Sequence, residues 1–131
     1  MDVLTNRDYW ARYAHTRPDI HRFVIVADAI AREILESGVR EGAIVPGMRG
    51  IAMACGNTAQ TVQSALQRLV AEDIIAMEPG KPTRVKSIAR TREYLARRAR
   101  EAFSEGVSLQ LLCGVALEDI IEQATALAGA R

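Results

Sequence analysis

Apolar side chains begin to recur at helical spacing at Phe23, where Val26, Ala27, Ile30, Ala31, Ile34 and Leu35 follow one another at three- and four-residue steps. Asp28, Arg32, Glu33 and Glu36 fill the polar positions between them, and Gly38 closes the segment. The run Glu41-Gly42-Ala43-Ile44-Val45-Pro46-Gly47 has Gly and Pro at both ends and reads as a connector into another helix. That helix is short, with Met48, Ile51, Ala52 and Cys55 at its apolar positions, until Gly56-Asn57-Thr58 interrupts it. Asn57 or Thr58 suits an N-cap, because a side-chain oxygen there satisfies free amides of the following first turn. The next helix carries Val62, Ala65, Leu66, Leu69 and Val70 on one stripe and Ala59, Gln60, Gln63, Ser64, Gln67 and Arg68 on the other face.

Two helices joined by a Gly-containing turn, the second polar and poor in negative charge on its outer face, predict a helix-turn-helix. Directly behind it, Ile74, Ile75 and Met77 lead to Glu78-Pro79-Gly80-Lys81-Pro82, and Thr83-Arg84-Val85-Lys86 then alternates polar with apolar. This is the pattern of a β-hairpin with a Gly/Pro tip, which in this position is a wing. Two further helical stretches, about 89 to 104 and 116 to 128, are separated by Ser104-Glu105-Gly106 and Gly114. Leu95, Ala99, Ala102 and Phe103 form one apolar stripe, and Leu117, Ile120, Ile121, Ala124, Leu127 and Ala128 form another. Two such helices cannot bury both stripes alone, so a second copy of the chain is the expected partner. Residues 1–22 hold Tyr9, Trp10 and Tyr13, then break at Arg17-Pro18; Thr5 or Asn6 can cap a short helix there. They read as a packing arm, or as a segment reaching a partner or DNA.

The expected architecture is therefore mostly α, in the α+β class. It comprises an N-terminal arm (1–22), a winged helix-turn-helix (23–87) and a helical dimerisation tail (88–131). At 131 residues there is room for one domain or one domain with an appendage. The start is too polar for a signal peptide and no apolar run approaches the ~18 residues of a membrane span, which points to the cytoplasm and away from a membrane. Cys55 and Cys113 have no partner at metal-ligand or C-x-x-C spacing and read as buried thiols in a reducing compartment. His15 and His21 lack the neighbours of a zinc site, so no metal and no cofactor is expected. Without a G-x-S-x-G, a Gly-rich phosphate loop or a His-acid pair, the chain does not read as an enzyme.

Charge complicates a nucleic-acid reading. Seventeen basic against sixteen acidic residues leave a net +1, and residues 24–86 carry seven of each sign. DNA binding must then rest on where charge is placed.

The series Gly42-Ala43-Ile44-Val45-Pro46, Arg49-Gly50-Ile51-Ala52, Gly56, Thr61-Val62, Ala65, Leu69, Ile74-Ile75, Gly80-Lys81 and Val85 resembles the N-terminal winged helix of GntR-type bacterial transcription regulators. The stretch Gly114-Val115-Ala116-Leu117-Glu118-Asp119-Ile120-Ile121 is similar to the last helix of the short-tailed YtrA-like subgroup. The resemblance implies a homodimer that binds double-stranded operator DNA, without a dedicated small-molecule pocket. It also exposes departures. Ala59-Gln60 and Gln63 flank the Thr61-Val62 pair where relatives carry arginines. Gly47 replaces a capping Ser, Asp73 a Gly, and Pro82 the second Gly of the wing.

On this template Arg49 meets a backbone phosphate, as do Thr58, Thr61 and the amides of the helix they open. Gln60 and Gln63 are placed to pair with adenine N6 and N7, aided by Ser64, with Ala59 against a thymine methyl. Gly80 and Lys81 form the wing tip, with Arg84 and Lys86 behind. Leu95, Ala99, Phe103, Leu117, Ile120, Ile121 and Leu127 are the expected dimer contacts. The competing reading is a winged-helix interaction module that has lost DNA affinity.

Overall fold

The computed structural model describes residues 1–11 and 21–129, so Tyr13, His15 and the Arg17-Pro18 break lie outside it. Among the described residues six α-helices and two short strands follow in order: α1 (Arg7–Ala11), α2 (Arg22–Glu36), α3 (Met48–Cys55), α4 (Ala59–Ala71), β1 (Ile75–Ala76), β2 (Arg84–Val85), α5 (Ile88–Leu112) and α6 (Leu117–Gly129). They divide into two compact units, Met1–Leu95 and Ala96–Arg131.

The first unit is built on α2. Val26, Ala27, Ile30, Ala31 and Ile34 are buried against Ile51 of α3 and the Val62, Ala65, Leu66 and Leu69 stripe of α4. Glu33, which the apolar pattern leaves on the polar side, is buried as well. Gly38 turns the chain out of the helix at φ +66, a conformation that carries no Cβ penalty for glycine.

The connector after α2 does more than link. Gly42 N donates to Val85 O at 2.7 Å, Val85 N to Ala43 O at 2.8 Å, and Val45 N to Thr83 O at 2.8 Å. Residues 42–45 thus lie antiparallel beside β2, with Ile44 opposite Arg84. On its other side β2 pairs with β1, Ile75 with Val85 and Ala76 with Arg84. Alternation along this edge sends Val45 into the core and leaves Ile44 exposed.

Residues 1–11 belong to the same core. A 3₁₀ turn at Asp2–Thr5 buries Leu4 completely, and Asn6 Oδ1 accepts from Asp8 N at 2.8 Å to open α1. The polar tips of two buried aromatic residues find main-chain partners: Tyr9 OH donates to Ala29 O and Trp10 Nε1 to Leu4 O, both at 2.8 Å. The turn lies close on α3, where a Cβ on Gly50 would stand 3.2 Å from Thr5 Cγ2.

Helix α5 starts on a cap, Ser87 Oγ accepting from Arg90 N at 3.1 Å, while Glu41 Oε1 accepts from Ile88 N at 3.2 Å. Two turns on, Tyr94 is 1% exposed. Its hydroxyl donates to Asp28 Oδ1 of α2 and accepts from Arg68 Nε of α4 at 2.9 Å. The Arg68 guanidinium also lies 5.5 Å from the ring centroid. One phenol thus joins α2, α4 and α5.

The sequence marks a break at Ser104-Glu105-Gly106, but α5 runs through it to Leu112. One interior glycine costs only about 1 kcal/mol against alanine, less than is needed to interrupt a long helix. The actual stop is Gly114 at φ +85. In the second unit Ile120 is buried, whereas Phe103, Leu109, Leu111, Leu112, Leu117, Ile121 and Leu127 are exposed. Cys113, expected to be buried, is exposed because it lies in this turn; Cys55 is half-buried against the core.

Two outcomes follow for stability. Leu4→Ala should lower it by about 2 to 5 kcal/mol in chemical denaturation, the cost of emptying a fully buried leucine site; a surface arm would lose almost nothing. Burial, then the bond to Asp28, push the Tyr94 hydroxyl up to about 12. Because the folded value is raised, the contribution of the neutral phenol is complete below pH 10 and lost as pH rises through 12. The stability gap between wild type and Tyr94→Phe should therefore hold from pH 7 to 9.5 and close above it.

Candidate nucleic-acid interface

Helices α3 and α4 meet through a turn that needs its residues. Gly56 caps α3 in the left-handed region at φ +71, its N–H returning to Ala52 O at 3.1 Å. Thr58 then takes extended backbone, and its Oγ1 accepts from Thr61 N at 3.2 Å, capping α4. Between the two candidate caps, Thr58 is the one used. Asn57 instead accepts a 3.4 Å bond from Arg22 at the start of α2.

Burial of the α4 apolar stripe decides what its other face presents. Ala59, Gln60 and Gln67 are exposed, while Thr61, Gln63 and Ser64 are half-buried. No acidic residue lies between Ala59 and Ala71. The Thr58 and Thr61 hydroxyls lie 3.0 Å apart in a hydrogen bond, so one serves the other before any ligand. Arg68, on the last turn, is held by Tyr94 and is not part of this face.

Arg49 stands exposed in the first turn of α3, which opens on Gly47 in extended backbone without a side-chain cap. Among the described residues it makes no hydrogen bond or ion pair. One helical turn later Met53 is 76% exposed, an apolar side chain beside the cation that sequence reading passed over. Its only signal is a hydrophobic residue off the stripe formed by Met48, Ile51, Ala52 and Cys55.

The wing presents its cations already engaged. Pro79 and Gly80 form its tip, with Gly80 at φ +73 and Lys81 N donating to Glu78 O at 3.1 Å, as a type II turn requires. Lys81 Nζ pairs with Glu78 Oε2 at 2.9 Å, Lys86 Nζ pairs with Asp73 Oδ1 at 2.9 Å, and Arg84 Nη1 donates to Gly42 O at 2.8 Å. Asp73 has φ +60, which explains the residue: after glycine, Asp and Asn enter this region most readily. The hydrogen bond and charge of Lys86 hold its carboxyl below the usual carboxylate range. Exposed pairs of this kind contribute at most about 1 kcal/mol, so a phosphate can compete for either lysine.

The expected dimer residues separate. Leu95 packs against the core of the first unit, and Ile120 is buried in the second. Ala99, Phe103, Leu117, Ile121 and Leu127 remain exposed. Among the described residues no group of His, Cys, Asp or Glu could hold a metal ion, and no helix is long and apolar enough to cross a membrane.

Residues 24–85 match the family model described as bacterial regulatory proteins, gntR family. No curated protein matches the chain. Among solved structures, a GntR family transcriptional regulator from Listeria monocytogenes is similar with a TM-score of 0.67 at 18% identity, over 84% of this chain and 97% of that one. A transcriptional regulator from Oenococcus oeni gives 0.58 at 20% identity, covering 86% and 94%. S. agalactiae BusR, in complex with its busAB-promotor DNA, gives 0.55 at 16% identity, covering 83% and 54%. The matched segment spans most of α2, the helix-turn-helix and both strands of the wing, and this segment is a winged helix of the gntR family of bacterial regulatory proteins.

Proposed function

We propose that the protein is a cytoplasmic transcriptional regulator that binds a palindromic operator in double-stranded DNA as a homodimer and acts as a repressor. The observation that carries this is the free N-terminal face of α4, capped by Thr58, without an acid and flanked by the unpaired Arg49. Arg49 and the first-turn amides of α4 bind phosphates and set the register, together with Thr58 and Thr61. Gln60 and Gln63 read adenine edges, helped by Ser64, and Ala59 meets a thymine methyl. Gly80 and Lys81 approach the neighbouring phosphates once Lys81 leaves Glu78. BusR, solved in complex with its promotor DNA, has a similar fold, which supports DNA as the partner here.

The exposed Phe103, Leu117, Ile121 and Leu127 support the second copy. A tail of two helices, as in YtrA-like members, supplies the dimer contact and no dedicated effector pocket. Dimerisation places two α4 helices one DNA turn apart, about 34 Å. Repression follows from a small dimer occupying a promoter.

One observation favours the rival reading of a protein interaction module: all three wing cations are held by groups of the chain itself. Selection of duplexes from a random pool by the purified chain separates the two. An operator binder enriches an inverted repeat with A·T-containing half-sites; an interaction module enriches none.

On the selected site, Gln60→Ala should cost about 1 to 3 kcal/mol per half-site and relax the base preference beneath it. Arg49→Ala should weaken all sequences alike. With two or three phosphate contacts per protomer, the logarithm of affinity should fall against that of salt with a slope of about −4 to −5. A slope near −10 would contradict this contact set.

A further inference from the structure

We propose that α6 of a second copy of this chain docks along the outward stripe of α5, with acids of α6 set against arginines of α5. The inference rests on the homodimer reading and adds the chemistry of its contact.

Arg92, Ala96, Ala99, Arg100 and Phe103 recur at three- and four-residue steps, share one stripe of α5 and are all exposed. On α6, Leu117 and Ile121 are exposed one turn apart, and Glu118 and Glu122 run beside them at the same spacing. On α6 the charge beside the stripe is all acidic; on α5 Arg92 and Arg100 accompany the stripe, and the neighbouring Glu93 is engaged by Arg90 at 3.6 Å. Among the described residues neither Arg92 nor Arg100 has a hydrogen-bond or ion-pair partner, and neither do Glu118 and Glu122.

The segregation extends beyond these four. Residues 81–100 hold eight Lys or Arg and only Glu93, a net of +7; residues 101–129 hold five acids and no Lys or Arg, a net of −5. Within one chain, among the described residues, none of the four pairs with another. Glu118 and Glu122 follow the Gly114 turn, whereas Arg100 lies twelve residues before Leu112, about 18 Å back along the helix. A second copy has no such constraint. In an isologous pair the contact occurs twice, each chain giving its α6 and receiving the other's.

Sedimentation equilibrium of the full chain tests this across salt concentrations and with charge exchange. The dimer should dissociate about tenfold more readily in 1 M than in 0.1 M sodium chloride, as screening of exposed pairs requires. Glu118→Arg with Glu122→Arg should weaken self-association at least tenfold, and so should Arg92→Glu with Arg100→Glu. An equimolar mixture of the two variants should recover an association stronger than that of either alone. If far-UV circular dichroism shows that a reversed variant fails to fold, Glu118→Gln with Glu122→Gln gives the same reading through a weaker dimer that has lost its salt dependence. A dimer unchanged by these substitutions overturns the proposal and leaves the homodimer standing. Weakened variants that do not complement each other overturn it too. A monomeric wild-type chain overturns the homodimer reading itself.

Discussion

The first unit closes around one buried phenol. Tyr94 comes from α5, yet its hydroxyl is committed to Asp28 of α2 and Arg68 of α4, residues 66 and 26 positions away. A buried hydroxyl without partners costs several kcal/mol against an apolar surrounding, so this bond pair fixes where the first turns of α5, up to Leu95, lie as well as supporting them. It also assigns the two ends of α4 to different tasks. The last turn, with its one arginine, is tied into the protein, and the first turn, capped by Thr58 and free of acids, is left to solvent.

Much of this arrangement is legible in the sequence. The helices between Phe23 and Ala71 follow from apolar spacing, and Gly38, Gly56 and Gly80 mark turns that need a left-handed backbone. Other parts depend on contacts that no local pattern carries. Tyr9 and Trp10 signal burial, but their places are set by the main-chain oxygens of Ala29 and Leu4. The connector at 42–45 bridges to β2 because β2 offers an open edge. The Ser104-Glu105-Gly106 punctuation fails because a cooperative helix of 25 residues outweighs one glycine.

The candidate interface divides along the same line. Thr58, Gly80 and Lys81 are placed by turn chemistry and could be read directly. The state of the wing could not. Lys86 is paired with Asp73, thirteen residues earlier, and Arg84 keeps its charge but is hydrogen-bonded to the carbonyl oxygen of Gly42, forty-two residues earlier. On the proposed reading, a near-neutral head would meet DNA with few free cations, leaning on helix-terminal amides and glutamine amides. Such a surface trades the long-range attraction of a basic patch for contacts that discriminate once formed. Residues 81–100, from the wing into α5, carry a net charge of +7, and residues 101–129, the later turns of α5 and α6, a net of −5.

Chromatin pull-down with sequencing, performed on the full chain in its own cells, tests the central claim most directly. The account predicts discrete peaks, each centred on two A·T-containing half-sites one DNA turn apart and lost when Gln60 and Arg49 are both replaced by alanine. Enrichment at no particular site, or peaks indifferent to that double substitution, would contradict it.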